Sequence, residues 1–486
     1  MTLLDDSTWS GRIFSSGWVT AEGGAAPVVE PATGEELGQV GRADAGDVAT
    51  ACARAAEAQR AWAATGFQER AAVLRRAGAL WDQHKEEIQG WIIRETGSMP
   101  PKAELETHIA TQECYEAATL PSRALGEIIP SEQPRLSMVR RLPAGVVGVI
   151  APFNAPLILG IRSVAPALAL GNAVVLKPDP RTAVSGGVTI ARIFQEAGLP
   201  DGVLHVLPGG GDAGQALITD PRVRVVSFTG STAVGRKVAE VAGRHLKRVH
   251  LELGGNSALI VLDDADLDLA ASAGAFGSFL HQGQICMTTG RHLVHERIAT
   301  DYTERLVQKA NHLPVGNPAV DQVALGPIID TSQRNKIHSL VTSSIGAGAT
   351  LAAGGTYEGL FYRPTVLSHV TRETPAWAQE VFGPVAPVTA FGDLDEAVAL
   401  ASDTEYGLSL GILSRDVMKA IALAERIPSG IVHINDQTVS DEAVAPFGGV
   451  AASGTGARFG GAAANIEAFT ETQWLTVQGD ISPYPF

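Results

Sequence analysis

One cysteine stands among neighbours that suit a nucleophile. Cys286 ends the run Phe279-Leu-His-Gln-Gly-Gln-Ile-Cys and is one of three cysteines in the chain. A thiol becomes a good nucleophile once its environment shifts it toward thiolate. Gly283 allows backbone to approach a ligand closely, and Ile285 and Met287 would line a pocket without charge. Although a cysteine is more often a small buried hydrophobe, this setting predicts that Cys286 is a nucleophile.

A carboxylate placed between leucines is the natural partner of such a thiol. Glu252 lies in Leu251-Glu-Leu-Gly-Gly255, just before a turn of two glycines. Apolar surroundings raise the pKa of a carboxyl group, and a raised pKa suits a general base that works near neutral pH. We therefore predict that Glu252 is the base.

Together, Glu252-Leu-Gly-Gly and Gly283-Gln-Ile-Cys286 resemble the signature of the NAD(P)-dependent aldehyde dehydrogenase superfamily, and the resemblance runs from about residue 20 to residue 475. It implies an α/β fold with a parallel-sheet dinucleotide-binding domain, an α/β catalytic domain and a small β oligomerisation arm. The implied bounds are 1–124 and 144–254 for the first domain, 255–452 for the second, and 125–143 and 453–486 for the arm. The implied activity is oxidation of an aldehyde to the carboxylic acid with NAD or NADP.

The resemblance also implies an oxyanion site. In Ala151-Pro-Phe-Asn-Ala-Pro156, Asn154 would supply a side-chain amide that, with the backbone N–H of Cys286, holds the oxyanion formed when sulfur attacks the aldehyde. Read alone, an asparagine after a strand is more often a turn or cap residue. In the implied mechanism, a thiohemiacetal on Cys286 gives way to a thioester, which water activated by Glu252 hydrolyses.

Adenosine contacts are implied at two places. Lys177-Pro178 would hydrogen-bond the adenosine ribose, with Lys177 also counted among the residues on which activity depends, and Gly209 would pack near adenosine. NAD-preferring relatives often carry a glutamate where this chain has Pro180. A 2′-phosphate would meet no repulsion from a carboxylate there, so both NAD and NADP stay open.

The remaining cofactor contacts follow the same resemblance. Gly230 and Ser231 come just before a predicted helix, whose free N–H groups favour phosphate oxygens. Ser231 could equally be an ordinary helix cap, and both roles can hold. Glu380 would bind the hydroxyls of the nicotinamide ribose, and Phe382 would pack near the ring.

The predicted substrate pocket is lined by Ala155, Ile285, Met287 and Phe447. A small residue opposite an aromatic one leaves room for a flat ring. Two runs, 177–187 and 279–284, resemble the benzaldehyde and vanillin dehydrogenase branch, which favours an aromatic aldehyde. Arg162 could instead meet a substrate carboxylate, so a semialdehyde or aliphatic aldehyde dehydrogenase is the alternative.

Two readings from other classes compete. His281 precedes Cys286 and could form a Cys/His dyad of a hydrolase, but with twelve histidines in the chain a chance neighbour is expected. A non-enzymatic homologue is disfavoured because the cysteine, the base and the amide are all present. The sequence contains no HExxH, CxxC or EF-hand pattern, so no catalytic metal is predicted.

Charge and composition limit the partners. The chain has 486 residues, a net charge of −15 and a pI of about 5.3, which disfavours nucleic acid and anionic membranes. Met1–Asp6 lacks the basic and apolar regions of a signal peptide, and three scattered cysteines form no disulfide framework. A cytoplasmic enzyme is expected. The uncharged stretch 142–161 contains three prolines, so a membrane-spanning helix is not expected there.

The elements that must position these residues are short apolar runs alternating with helical stretches. The runs 146–150, 173–176, 203–206, 223–228 and 258–262 predict strands of parallel sheets, which bind ligands at their carboxyl ends. Helices are predicted over 44–65, 67–96 with a break near Gly90, and 101–120, all without a chemical role. Two edge-prone strands, near 136–142 and 472–477, would by resemblance build a homodimer or homotetramer.

Overall fold

Helices dominate the first quarter of the chain. The computed structural model describes residues 2–486, and Met1, the first residue of the predicted nucleotide-binding domain, lies outside the described residues. The elements up to the first central strand are α1 (Asp6–Trp9), β1 (Arg12–Ser15), β2 (Trp18–Thr20), β3 (Ala25–Val29), β4 (Glu36–Gly41), α2 (Ala45–Ala64), α3 (Phe67–Gln83), α4 (Lys85–Thr96), α5 (Pro100–Ala117), a 3-10 turn (Leu120–Ser122), β5 (Gly126–Ile128) and β6 (Leu136–Pro143).

The predicted helix break near Gly90 is wrong. Helix α4 runs through Gly90, and the break lies at His84, whose φ of −108° and ψ of 14° separate α3 from α4. A single glycine inside a helix costs only about 1 kcal/mol relative to alanine, and tertiary packing overcomes that cost.

A seven-stranded sheet carries the first half of the site. Its central strands and helices are β7 (Val146–Ile150), α6 (Pro156–Ala169), β8 (Ala173–Lys177), α7 (Thr189–Glu196), β9 (Leu204–Val206), α8 (Gly211–Thr219), β10 (Val223–Thr229), α9 (Thr232–Arg244) and β11 (Arg248–Glu252). The strand order is β11-β10-β7-β8-β9-β1-β2; the first five strands are parallel, and the β1–β2 hairpin is antiparallel at one edge. The predicted strands of this region are confirmed, and α7 is preceded by a short π-helical turn, Val184–Val188.

A second seven-stranded sheet carries the other half. Its elements are β12 (Ser257–Val261), α10 (Leu267–Phe279), a 3-10 turn (Leu280–Gly283), β13 (Thr289–His295), α11 (Glu296–His312), α12 (Thr331–Gly346), β14 (Thr350–Ala353), the β15 (Tyr357–Glu358) and β16 (Phe361–Tyr362) hairpin, β17 (Thr365–Ser368), α13 (Pro375–Ala378), β18 (Val385–Phe391), α14 (Leu394–Ser402), β19 (Ser409–Leu413), α15 (Val417–Ala424) and β20 (Ile431–Ile434). The order β14-β17-β18-β13-β12-β19-β20 is parallel except for the antiparallel edge strand β14.

A three-stranded antiparallel sheet projects beside the two main sheets. After the 3-10 turn Ala451–Ser453 and α16 (Ala462–Phe469), strand β21 (Thr470–Val477) pairs with β6 along its length, and β6 pairs with β5. Phe459 and Phe469, which the predicted arm included, are buried in the same core as α6 and β7. The domain bounds stay a prediction.

No helix among residues 2–486 is both long and apolar enough to cross a membrane. The uncharged stretch 142–161 forms the end of β6, strand β7, a loop and the start of α6. Across the same described residues, no group of three or more side chains is placed to hold a metal ion.

One buried amide joins the first sheet to the start of β21. Asn172 Oδ1 accepts from the backbone N–H of Gly145 (2.9 Å), and its Nδ2 donates to the carbonyls of Ala167 (2.9 Å) and Phe469 (3.0 Å). Asn172 is fully buried; truncation would leave the Gly145 N–H without its acceptor and would remove the side-chain hydrogen bonds to the carbonyls of Ala167 and Phe469, which each keep one backbone hydrogen bond.

We expect Asn172→Ala to lower the free energy of unfolding by about 1–3 kcal/mol, seen as a lower urea midpoint. Asn311→Ala, at an exposed position of α11, is the matched control and should shift the midpoint by less than about 0.5 kcal/mol. Equal midpoints for the two variants would contradict the connecting role.

Candidate active site

The loop that carries Cys286 is held in a rare backbone conformation. His281, Gln282 and Gly283 all have positive φ (49°, 56° and 66°). A Cβ on Gly283 would lie 2.1 Å from the carbonyl oxygen of Gly383, so only glycine fits there. Gln282 Nε2 donates to two backbone carbonyls, at 3.0 and 2.8 Å. Strain of this kind persists only when surrounding contacts fix it, and here they fix the position of the thiol.

The Cys286 thiol lies in an environment that opposes its ionisation. Burial is the main cause that raises its pKa to about 12, and the carboxylates of Glu380 and Glu252 raise it further, while Arg162 lowers it. The sulfur is nevertheless reachable, because Cys286 is only partly buried and lines a cavity. The thiol is therefore protonated at neutral pH in this state, and a base or a change in its surroundings must favour the thiolate.

Glu252 ends strand β11 and faces the same cavity. It is buried, and neither carboxylate oxygen has a hydrogen-bond partner within the described chain. Burial raises its pKa well above the usual range; Arg162 and then Arg458 act in the opposite direction. A carboxyl group with a raised pKa and free oxygens can take up a proton.

Asn154 is fixed from behind by a buried ion pair of helix α5. Lys102 Nζ donates to the Asn154 carbonyl at 2.7 Å and pairs with Glu106, whose Oε2 accepts from the backbone N–H of Leu157 at 3.0 Å. Glu106 thus also satisfies a free N–H in the first turn of α6, where a negative charge is favourable. The two charges hold both sides of the loop that presents Asn154 to Cys286.

The two sheets meet at a cavity of about 460 Å³. Most of the predicted catalytic and cofactor residues line it, from both sheets: Asn154, Lys177, Gly209, Gly230, Ser231, Glu252, Cys286, Glu380 and Phe382. Pro178 is the exception. It is not in the lining, and its carbonyl accepts from Lys177 Nζ (3.1 Å).

Lys177 and the start of α9 offer hydrogen-bond donors that suit two parts of a dinucleotide, the adenosine ribose and the diphosphate respectively. Lys177 Nζ donates to the carbonyls of Pro178 and Gly209 (2.8 Å), which leaves one of its three donors free. Ser231 is the residue before α9, yet its side chain makes no capping hydrogen bond. The first N–H groups of this helix of 13 residues therefore remain available to an anion beside the cavity.

Glu380 lies against the glycine turn that follows Glu252. Its Oε1 accepts from the backbone N–H of Gly255 (3.2 Å), and a Cβ on Gly254 would come within 2.3 Å of its carboxylate. Burial raises the pKa of Glu380 to about 7, while Lys336 lowers it. Next to it, Phe382 has a φ of 52° and meets the ring of Phe153 edge to face (6.0 Å).

A second cavity, of about 210 Å³, reaches Cys286 from the other side. The four predicted pocket residues Ala155, Ile285, Met287 and Phe447 all line it, and Cys286 and Asn154 line both cavities. Met287 and Phe447 belong to a small apolar cluster that Ile285 and Cys286 contact. Cys286 therefore lies where the larger cavity, lined by both polar and apolar groups, meets the smaller and largely apolar one.

Arg162 also lines the second cavity, but it does not offer a free charge to a carboxylate. Its guanidinium is paired with Asp441 and lies 3.9 Å from Glu113, and its Cζ stands 4.5 Å from the centre of the Phe447 ring. Two carboxylates already face this one cation. The role of Arg162 as an anchor for a semialdehyde carboxylate stays a prediction, and this pairing does not favour it.

His281 does not approach the sulfur as a dyad partner. It is buried outside the linings of both cavities, and its Nδ1 lies 3.5 Å from Ser98 Oγ. Burial and the nearby Lys102 hold its pKa well below the usual range. A neutral, enclosed imidazole does not support the hydrolase interpretation.

Sequence reasoning missed several charged residues at the site, among them Lys102, Glu106, Asp441 and Arg458. The sequence assigns no chemical role to the helix with Lys102 and Glu106, whereas the structure places both residues in the lining of the second cavity. Their spacing of four residues was the available signal, because a buried Lys–Glu pair on one helix face is unusual.

Comparison with known proteins agrees with this geometry. The aldehyde dehydrogenase family model matches residues 18–475. The chain is 71% identical to a vanillin dehydrogenase of Amycolatopsis sp., over 100% of both chains, and 50% identical to a benzaldehyde dehydrogenase [NAD(+)] of Pseudomonas putida, over 98% of both. The crystal structure of a salicylaldehyde dehydrogenase from Pseudomonas putida G7, complexed with salicylaldehyde, superposes with a TM-score of 0.94 at 36% identity, covering 98% of this chain and 99% of the other.

The electrostatics of Cys286 predict how its reactivity responds to Glu380. In Glu380→Gln one negative charge beside the thiol is removed, so the pKa of Cys286 falls and the thiolate fraction at a fixed pH rises. We expect iodoacetamide to label Cys286 faster at pH 8, by roughly tenfold for each unit of pKa change. At pH 6, where Glu380 is largely protonated, the difference from the native protein should shrink.

Labelling is followed by intact-mass spectrometry, with Cys286→Ser as the control. Cys52 and Cys114 are buried, so the control should remain unlabelled on the same timescale. A labelling rate at pH 8 that is unaffected by Glu380→Gln would show that its charge does not act on the thiol.

Proposed function

Because this chain belongs to the aldehyde dehydrogenase family, we propose that it oxidises an aromatic aldehyde to the carboxylic acid with NAD⁺ or NADP⁺. The observation that carries this proposal is the position of Cys286 between the two cavities, with Glu252 and Asn154 in the linings beside it. The two relatives named for vanillin and benzaldehyde, and the solved structure that contains salicylaldehyde, support the aromatic class.

The larger cavity fits a dinucleotide. It combines the uncapped start of α9 for a diphosphate, a free donor on Lys177, and the Glu380 carboxylate for ribose hydroxyls. Gly209 and Phe382 complete the lining. When bound, NAD(P)⁺ would supply the hydride acceptor.

The residues of the chain perform the remaining steps. Cys286 attacks the aldehyde carbon as thiolate, with Glu252 taking up the thiol proton through water. Asn154 and the backbone N–H of Cys286 donate to the resulting oxyanion, and losing one such donor costs about 3–4 kcal/mol of barrier. After oxidation leaves a thioester on Cys286, Glu252 activates a water that releases the acid and frees the thiol.

The second cavity supports an uncharged ring as the substrate. Its volume is about 210 Å³, and apolar side chains from four segments form much of its wall. The two ion pairs in its wall, Lys102–Glu106 and Arg162–Asp441, are each balanced. A carboxylate on the substrate would therefore find no unpaired cation, and the semialdehyde alternative lacks support.

We further propose that the protein works as a homodimer or homotetramer in the cytoplasm. Strand β21 exposes one edge and the large side chain of Trp474, which is 63% exposed, and β5 exposes Ile128. Exposed edge strands of this kind pair with another chain. Three free thiols fit a reducing compartment.

The test is an aldehyde panel, with reduced nicotinamide followed by absorbance. Benzaldehyde and vanillin should be oxidised with NAD⁺ or NADP⁺ at a kcat/KM at least about tenfold above that for succinic semialdehyde. Cys286→Ser should lose this activity by roughly three or more orders of magnitude. Preference for the semialdehyde would overturn the aromatic class, and activity retained in Cys286→Ser would overturn the mechanism.

The pH dependence tests Glu252 as the base. Its pKa is raised, so activity is present above that pKa and is lost as pH falls through it. Arg458 lowers this pKa, and therefore Arg458→Met should move the acid limb of the kcat profile to higher pH. Arg458→Lys keeps the charge and is the control; its acid limb should stay close to that of the native enzyme. The assignment would be wrong if the limb did not move in Arg458→Met.

A further inference from the structure

The apolar cavity contains one polar pair whose hydrogen-bonding capacity is not used up. Arg162, on α6, and Asp441, in the loop after β20, both line it together with Cys286. Arg162 Nη2 bonds Asp441 Oδ2, whereas Nε and Nη1 of Arg162 and Oδ1 of Asp441 have no partner within residues 2–486. Arg162 is only 2% exposed, so water from outside does not satisfy it freely.

Neighbouring side chains limit where a ligand could approach the Arg162 guanidinium. The ring of Phe447 covers one face of the Arg162 guanidinium, with 4.5 Å between Cζ and the ring centre. On the Nε side, the Glu113 carboxylate stands at 3.9 Å, which is too long for a hydrogen bond. Phe447 thus blocks one face of the guanidinium and Glu113 stands beside Nε, so the unused donor next to the Nη2–Asp441 hydrogen bond is Nη1.

The pair thus has an unused donor, Arg162 Nη1, and an unused acceptor, Asp441 Oδ1, on two groups that are already hydrogen-bonded to each other. Arginine can only donate, and an ionised aspartate can only accept. A carboxylate ligand would satisfy Arg162 but meet repulsion from Asp441, and an ammonium group would meet the reverse. A methoxy oxygen can accept from Arg162 and leaves Asp441 Oδ1 unmet. A hydroxyl group both donates and accepts, so it satisfies both atoms.

Resting on the proposed function, we propose that Arg162 and Asp441 form a specificity subsite for a hydroxyl group on the ring of the aromatic aldehyde. Asp441 Oδ1 accepts from the hydroxyl, and Arg162 Nη1 donates to its oxygen. Phe447, which packs on the guanidinium and lines the same cavity, supplies an apolar wall for the ring. The preferred substrates are then hydroxybenzaldehydes, ahead of benzaldehyde and of methoxybenzaldehydes without a hydroxyl.

The decisive quantity is a ratio of specificity constants in one enzyme. For the native chain, kcat/KM is measured for the three hydroxybenzaldehyde isomers, the matching methoxybenzaldehydes and benzaldehyde. We expect at least one hydroxy isomer to exceed both its methoxy counterpart and benzaldehyde by roughly 10-fold or more. This comparison uses the native enzyme alone. If no hydroxy isomer is preferred over its methoxy counterpart and over benzaldehyde, the proposal is wrong.

The variants then locate the preference. Arg162→Met combined with Asp441→Leu replaces a buried ion pair by apolar side chains, a change that folded proteins often tolerate. The hydroxy-to-benzaldehyde ratio should fall by roughly 10- to 100-fold. Arg162 also lowers the pKa of Glu252, but that effect acts on both aldehydes and cancels in the ratio.

Glu113→Gln is the matched control, because it alters the other carboxylate near Arg162 and does not line the cavity. Its ratio should stay within about twofold of the native value. If the double variant keeps the native ratio of kcat/KM for hydroxybenzaldehyde over benzaldehyde, the proposed subsite is wrong. The proposal that the enzyme oxidises aromatic aldehydes would still stand. If the native enzyme oxidises none of the aromatic aldehydes, the proposed function itself is wrong.

Discussion

Loss of water at the meeting point of the two sheets is the constraint on which the site depends. Burial raises the pKa values of Cys286, Glu252 and Glu380, so all three groups resist ionisation there. A nucleophilic thiol and a basic carboxylate act only in their ionised forms. In a cleft shielded from water, a nearby positive charge is needed to favour those forms. Arg162 provides it, because its positive charge lowers the pKa values of both Cys286 and Glu252. The same burial strengthens every hydrogen bond aimed at a developing oxyanion.

The sequence allowed the cofactor half of the cleft to be predicted because strand ends carry it. Glu252 and Lys177 are the last residues of β11 and β8, and Ser231 directly precedes α9. In a parallel sheet the carboxyl ends of strands meet at one edge, so local pattern alone brings such residues together. The position of Cys286 depends on a strained turn and on Gly283, which no strand pattern predicts. Its role as nucleophile could still be predicted, because the residues around it form a recognisable motif.

The remaining parts depended on contacts between segments far apart in the sequence. Lys102 reads as one more charged residue of a helix, and only the fold brings its Nζ to the Asn154 carbonyl. Asp441 lies in a loop without a pattern of its own, yet the fold pairs it with Arg162. The helix break was predicted at Gly90 and not at His84 for a similar reason. Packing against other segments keeps α4 helical through Gly90, and the local sequence does not show that packing. Periodicity reports which face is buried and not which partner is buried against it.

This difference explains why family membership was easier to predict than the identity of the substrate. The predicted cofactor residues lie at strand ends and at the start of a helix, which short motifs specify. In the proposed function the aldehyde would occupy the second cavity, which is lined by side chains from α5, α6, the Cys286 loop and the segment from Val439 to Phe447. Each can change without disturbing the sheets, provided that buried charges stay paired. Balanced pairs such as Arg162–Asp441 can therefore carry specificity at little risk to the fold, and they leave no motif by which a sequence alone would identify them.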